Sequence, residues 1–493
     1  MKNALCRNKF IILFTILIIA AAAGISIYKS QSTALLDKKA YSEFRTAIED
    51  VGESEAGGFA DQQELAGLIR QWADGHSLEY KEDKYGNIIF DKPASGRKKN
   101  FSPTLIAVSM NYETAVDNAR VLAAAAAVAV SDVEAGRRTV VFFNDEQGLA
   151  KGYKGISKKL ISSKTKVIYL DKGASNYIST GSFQQRCSEI TIPAEREENP
   201  CDTAVRISIT GITSGVIGPG INKRPDPMSA LSSLLSRLKS RSVDCRVAEV
   251  SVGNNGNMYP VSLDVTIVLN SYNLNSFTGY IDKRIKAWDK AYGDNYEDLK
   301  YEYEVIEDEE ALPDTVYTAE TTDKLTGILY TISSGSYKYS ENDSIPEGKE
   351  PGYVYGINCL TDLYTTDDNI KIVVITQGAD DSFTDRIAND NKAAAELYEC
   401  SYDQTDYIDA FINDKDSLAR TFRCTYEKVT KNAASDVSLG SETDNFFTPC
   451  SYLAKRNTKA DIIHIRTKNS NAARIANTIL CYIKGKGNTS IFK

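Results

Sequence analysis

Carboxylates and small polar residues gather at the ends of three short apolar runs. Thr104 to Met110 carries Ser109 and is followed by Asn111, Thr139 to Phe143 leads to Asp145 and Glu146, and Lys166 to Leu170 leads to Asp171. Asp117 opens the alanine-rich stretch between the first two runs. Acidic side chains converging in a cleft can hold a divalent cation that activates a bound water, while one carboxylate acts as general base. Polar residues at strand ends are also what ordinary loops carry. Donor type narrows the choice of metal. Zinc prefers nitrogen and sulfur ligands, and the whole chain holds two histidines, His76 and His464. His76, in Asp74-Gly75-His76-Ser77, reads as a surface residue at a helix end, whereas His464 lies in the run Asp461 to Ile465. A purely oxygen site could bind calcium or magnesium, but calcium wants about six to eight oxygens and magnesium a water-rich octahedron.

To bring these residues together the chain needs a particular scaffold. The three runs are continuously apolar, as strands buried on both faces are, and Val116 to Val130 reads as a helix apolar on nearly every side. Strand-helix-strand order predicts an α/β domain with a mainly parallel sheet flanked by helices, its site beyond the carboxyl ends of the strands. Helices are expected around Tyr41 to Glu49 and over Asp61 to Ala73, where Leu65, Leu68, Ile69 and Trp72 recur at helical spacing. Tyr85-Gly86-Asn87 reads as a turn into a strand. From about Val205 the pattern changes. Val205 to Ile209 and Pro260 to Leu269 alternate as half-buried strands, Met228 to Leu238 and Ile281 to Tyr292 read as helices, and Lys371 to Thr376 as a strand before a helix through Asn391 to Tyr398. The acidic run Tyr301 to Glu310 reads as a solvated face. Residues 205–412 are therefore expected to form an inserted α+β domain, with 57–204 and 413–493 together making the α/β domain.

The N-terminus carries Lys2, Arg7 and Lys9, then an uncharged apolar run from Phe10 to Tyr28. About 19 residues suffice to cross a bilayer as a helix. Positive charge before the run predicts a cytoplasmic tail over 1–9, a signal-anchor helix over 10–28, a connector over 29–56 and an extracytoplasmic bulk, that is, a single-pass membrane protein. Small residues from Ala20 to Gly24 offer the alternative of signal cleavage and secretion. The anchor is preferred because the apolar run continues through Ile25 and Ile27. A formal charge of -8, with no basic patch, argues against nucleic acid as a partner. Of nine cysteines, those after Cys6 lack C-x-x-C spacing and read either as disulfides of an exported chain or as buried thiols.

Taken in order, the motifs resemble those of the zinc exopeptidases of the aminoacyl-histidine dipeptidase group, relatives of carnosinase and the cytosolic non-specific dipeptidases. The resemblance spans most of the chain after Gly57. A Gly-Asn turn before a strand matches Gly86-Asn87, a His-x-Asp motif falls on Ser109-Met110-Asn111, and an Asp-Asn pair falls on Asp117-Asn118. A Glu-Glu pair before Gly falls on Asp145-Glu146-Gln147-Gly148, and a Leu-Asp strand end on Leu170-Asp171. The Gly-Gly-His-Ser-Gly turn of the family's lid falls between Ile209 and Gly220, where no histidine stands, and an Arg-Asn-Ala-Ile-Pro element resembles Gly256-Asn257-Met258-Tyr259-Pro260. The terminal histidine motif falls in or near Arg466-Thr467-Lys468-Asn469-Ser470.

The resemblance implies a domain with an inserted lid, two zinc ions bridged by an Asp and held by histidines and carboxylates, and a Glu as general base. It makes Asp117, Glu146 and Asp171 metal-ligand positions, Asp145 the base position, and Ser109 and Arg466 positions whose ligand histidine is lost. Asp145 is one methylene shorter than Glu, which displaces the carboxylate by about 1 Å from a geometry that tolerates little error. The preferred reading is a pseudo-peptidase without a metal cofactor, binding peptides or cell-wall fragments or acting as a scaffold, with homodimerisation through the lid. Two alternatives compete: a hydrolase of dipeptidase or aminopeptidase type with an altered site for zinc, magnesium or calcium, and a structural ectodomain. Carboxylates converging without metal raise one another's pKa. Arg466 is the expected neutralising group, because a guanidinium can donate to two carboxylates, with Arg120 as the alternative.

Overall fold

The computed structural model describes residues 34–485 apart from 55–56, 97–100, 174, 216, 219, 254–257, 346–348, 414, 416, 432–437 and 440–446. The tail 1–9, the anchor 10–28 and the Gly256-Asn257 pair therefore lie outside the described residues. No helix among the described residues is long and apolar enough to cross a membrane.

Two sheets organise the chain. In the first, the strands Arg138–Asn144, Thr104–Met110, Lys166–Lys172 and Asp461–Thr467 lie side by side and parallel. Ile88–Lys92 and Lys81–Glu82 extend one edge antiparallel, while Tyr177–Ser179 and Ser438–Leu439 extend the other. One face is covered by the helices Lys38–Gly52, Gln62–Gly75, Ala119–Val130, Ser417–Thr430 and Ala472–Ile483, which share a core. The opposite face packs against the short helices Lys151–Gly155 and Cys450–Arg456. Ala123 to Ala127 are all buried. Their small side chains let the central helix approach both the sheet and its neighbours Lys38–Gly52 and Ala472–Ile483.

Residues 37–52 of the segment expected as a connector are part of this core. Asp37 caps Lys38–Gly52 by accepting the N–H groups of Lys39 and Ala40, at 2.9 and 3.1 Å. Ala40, Tyr41, Phe44 and Ile48 then fall on one helical face and are buried. Only an amphipathic helix packed on the domain meets that pattern, so this stretch belongs to the α/β domain and not to a connector.

The second sheet is antiparallel, in the order Lys300–Ile306, Thr203–Thr210, Leu263–Leu269, Cys245–Val252, Val354–Thr365, Asn369–Gly378, Gln184–Pro193 and Ser401–Ile408, with Gly335–Lys338 beside Val354–Thr365. Pro227–Ser240, Leu274–Tyr292, Ala319–Thr331 and Asp381–Leu397 share one core with it. Two expectations need correction here. The insertion does not begin at Val205, because Gln184–Pro193 already pairs along its whole length with Asn369–Gly378. The acidic run is not merely a solvated face: Lys300–Ile306 is an edge strand, with Tyr301, Tyr303 and Val305 on one side and Glu302 and Glu304 on the other. Cys201, Cys245, Cys359, Cys400, Cys424 and Cys450 are free thiols, so the disulfide reading fails for these six. Burial pushes Cys245 and Cys450 up to about 12, which leaves them unreactive.

Candidate functional site

Parallel register places the polar strand ends on one face. His464 stands beside Tyr169 and Arg466 beside Asp171. Leu105 and Ala107, preceding Ser109 at two-residue spacing, share a buried cluster with Val167, Tyr169 and Ile462. The same period carries Ser109, Asp171, His464 and Arg466 out along that face at the carboxyl ends. Asp145 follows the neighbouring strand and is anchored at its backbone, its N–H donating to the Met110 carbonyl at 3.0 Å.

The turn that aims these ends is built from Gly86 and Asn87. Gly86 has φ +78, a conformation that favours glycine. Asn87 is buried, accepts the Asn144 N–H at 2.9 Å and donates to the Gly152 carbonyl at 3.1 Å. A Cβ at Gly152 would collide with the Asn87 Oδ1, so a glycine is required where the short helix Lys151–Gly155 crosses this turn.

Ser109 is the hub of the site. Its hydroxyl lies 2.9 Å from Asp145 Oδ2, 2.8 Å from the Tyr153 hydroxyl and 3.2 Å from the Tyr169 hydroxyl. Asp145 Oδ1 accepts the Ala150 N–H at 3.0 Å. Burial pushes the Asp145 carboxyl up to about 6, with nearby Asp171 adding to the rise, while the hydrogen bonds from Ser109 and Ala150 work against it. Asn111 clamps the following turn, donating to the Asp145 carbonyl at 2.8 Å and accepting the Glu113 N–H at 2.9 Å.

The residues expected as metal ligands diverge. Asp117 turns outward to an ion pair with Lys172, and Glu146 pairs with Lys151 at 2.6 Å. Asp171 accepts its neighbour's Lys172 N–H at 2.8 Å, and its Oδ2 is 3.7 Å from Nε2 of the buried His464. The His464 ring packs 4.8 Å from that of Tyr169. Among the described residues no three His, Cys, Asp or Glu side chains converge closely enough to hold a metal ion. The donors present thus do not fit a two-zinc centre, and Asp117, Glu146 and Asp171 do not assemble into a carboxylate cage.

Charge compensation at the two outlying carboxylates comes from lysines. At Asp117 and Glu146 the neutralising groups are Lys172 and Lys151 rather than Arg466, whose guanidinium lies 5.1 Å over the Tyr177 ring. Arg120 is drawn to Glu49, at 3.4 Å. His76, beside Glu43 at 3.2 Å, belongs to the helical layer and not to this site.

A cavity of about 90 Å³ remains between the two domains. Ser109, Asp145, Tyr169 and Asp171 line it from the first, and Gln185, Ile217, Met258 and Gln377 from the second. Gln377 donates to Gln185 at 2.9 Å and accepts the Phe447 N–H at 3.3 Å. These glutamines and the two tyrosines were not singled out from sequence. The glutamines lie in the strands that carry the second domain over the first, and the tyrosines read as ordinary core aromatics.

No protein-family model matches the chain. No curated protein matches it. Among solved structures, an aminoacylhistidine dipeptidase from Vibrio alginolyticus is similar at TM-score 0.53 and 15% identity, over 92% of this chain and 98% of that one. A tripeptidase from Staphylococcus aureus gives TM-score 0.46 and 8% identity, over 92% and 99%. A hydantoinase/carbamoylase-family amidase from Burkholderia vietnamiensis gives 0.49 and 10%, over 92% and 98%. The likeness to the dipeptidase shows the fold: a peptidase-like α/β domain with an inserted second domain, as the motif order implied.

Proposed function

We propose that this chain is a peptidase-fold protein whose metal centre has been dismantled and whose interdomain cleft binds a small peptide or cell-wall fragment. The observation that carries this reading is the direct hydrogen bonding of Ser109 to Asp145, Tyr153 and Tyr169. Groups that would be left open to a metal and its water satisfy one another instead, and the outlying carboxylates Asp117 and Glu146 are matched by lysines. Residues 10–28 anchor the protein in a membrane with the cleft outside, which places it among extracellular peptides and wall fragments. The test is a screen of dipeptides and peptidoglycan peptides against the purified chain, scoring turnover and binding separately. Saturable binding without turnover above a mock preparation is expected, and turnover would overturn the reading.

A second reading, an active hydrolase with an altered site, has one observation in its favour. A carboxyl pushed up to about 6 is suited to proton transfer near neutral pH. Turnover that is lost in Asp145→Asn would establish it.

A further inference from the structure

Away from the cleft, a cavity of about 280 Å³ opens in the second domain between the segment from Ile221 to Ser229 and the helix Leu274–Tyr292. Arg284, Trp288 and Tyr292 follow one another at four-residue spacing, so they share a helical face, and all three line the cavity. Trp288 is buried and packs edge-on against Tyr292 and Tyr301, at 5.5 and 5.3 Å. Across the cavity, the Arg224 guanidinium lies 4.3 Å over the Tyr259 ring and donates to the Thr213 carbonyl. Its Nε is buried with no hydrogen-bond partner among the described residues.

The acid in this lining is already committed. Asp226 accepts the Met228 and Ser229 N–H groups, at 3.0 and 3.2 Å, and the Ser229 hydroxyl at 2.8 Å. Arg284 forms no ion pair among the described residues. Two guanidiniums from separate elements thus border one cavity without a carboxylate among the described residues to satisfy either. A buried donor without a partner is costly, and guanidinium forks match planar or tetrahedral oxyanions.

We infer that this cavity is a binding site for a small oxyanion, a carboxylate or phosphate group held between Arg224 and Arg284 with its body against Trp288 and Tyr292. It shares no lining residue with the interdomain cleft, although Met258 of the cleft adjoins Tyr259 of this cavity.

Trp288 provides the readout, since Trp72 is the other of two tryptophans. In the full chain carrying Trp72→Phe, indole fluorescence is followed while inorganic phosphate and, separately, benzoate are titrated at constant ionic strength. A saturable change with at least one anion is expected, and which arm responds identifies the head group. Arg224→Gln and Arg284→Gln should each weaken that affinity by about tenfold or more, as expected for loss of a charge-assisted hydrogen bond. If Trp72→Phe disturbs folding, calorimetric titration of the unsubstituted chain reads the same equilibrium, and circular dichroism verifies the arginine variants. Absence of saturable binding with both anions overturns the inference, as does unchanged affinity in either folded arginine variant.

Discussion

Replacing Asp145 with asparagine isolates the charge at the centre of the cleft. The folded chain holds the Asp145 proton up to about 6, against an ordinary 3.8. Wild-type stability is therefore kept at low pH and lost as pH rises from near 4 through about 6. Asparagine cannot ionise, so the stability of Asp145→Asn relative to wild type should rise by on the order of 3 kcal/mol between pH 4 and 7. Denaturant unfolding at the two pH values measures it, and a flat difference would show that Asp145 is ordinary. Ser109→Ala leaves Asp145 and two buried tyrosine hydroxyls short of a partner, and should destabilise by about 1 to 3 kcal/mol at neutral pH. An effect under about 0.5 kcal/mol would mean that Ser109 behaves as a surface residue. Ser109, Asp145 and Asp171 were legible because they lie at or just beyond the ends of apolar strands. Lys172 and Lys151 were not, although both lie near their acidic partners in the fold. The direction in which Asp117 and Glu146 turn depends on backbone that only the folded loops define.

At the scale of elements, the helix Lys38–Gly52 makes the sharpest demand. Phe44 is fully buried and packs edge-on against Trp72 at 5.0 Å, with Phe142 of the central sheet 6.0 Å away. Phe44→Ala should cost about 3 to 5 kcal/mol in thermal or chemical unfolding, whereas a loosely attached connector would make the change nearly neutral. The parallel strands and the alanine-rich helix were readable because burial on both faces leaves continuous apolar runs. Lys300–Ile306 was hidden by its edge position, where alternate residues are glutamates facing water. Gln184–Pro193 was hidden for the opposite reason. Gln184, Gln185 and Ser188 are polar yet buried, satisfied by contacts with Thr384, Gln377 and Tyr402 that are remote in sequence.

For the whole molecule, two claims remain to be tested: where the chain sits and whether its cleft takes a metal. If residues 10–28 anchor it, protease added to intact cells should degrade the domains beyond residue 34, and recovery of a soluble form beginning near Gly24 would show cleavage instead. The two-domain fold could be anticipated from the order of short motifs, each too brief to be specific alone. What those motifs could not convey is the network around Ser109, because its hydroxyl meets Asp145, Tyr153 and Tyr169 only in the folded chain. The most direct test of the proposed metal-free cleft is the metal content of the purified full-length chain after incubation with zinc and exhaustive dialysis, measured by elemental analysis. Zinc far below one ion per chain is expected, unchanged in Asp145→Asn and Asp171→Asn. One or two zinc ions per chain, lost in those variants, would contradict it.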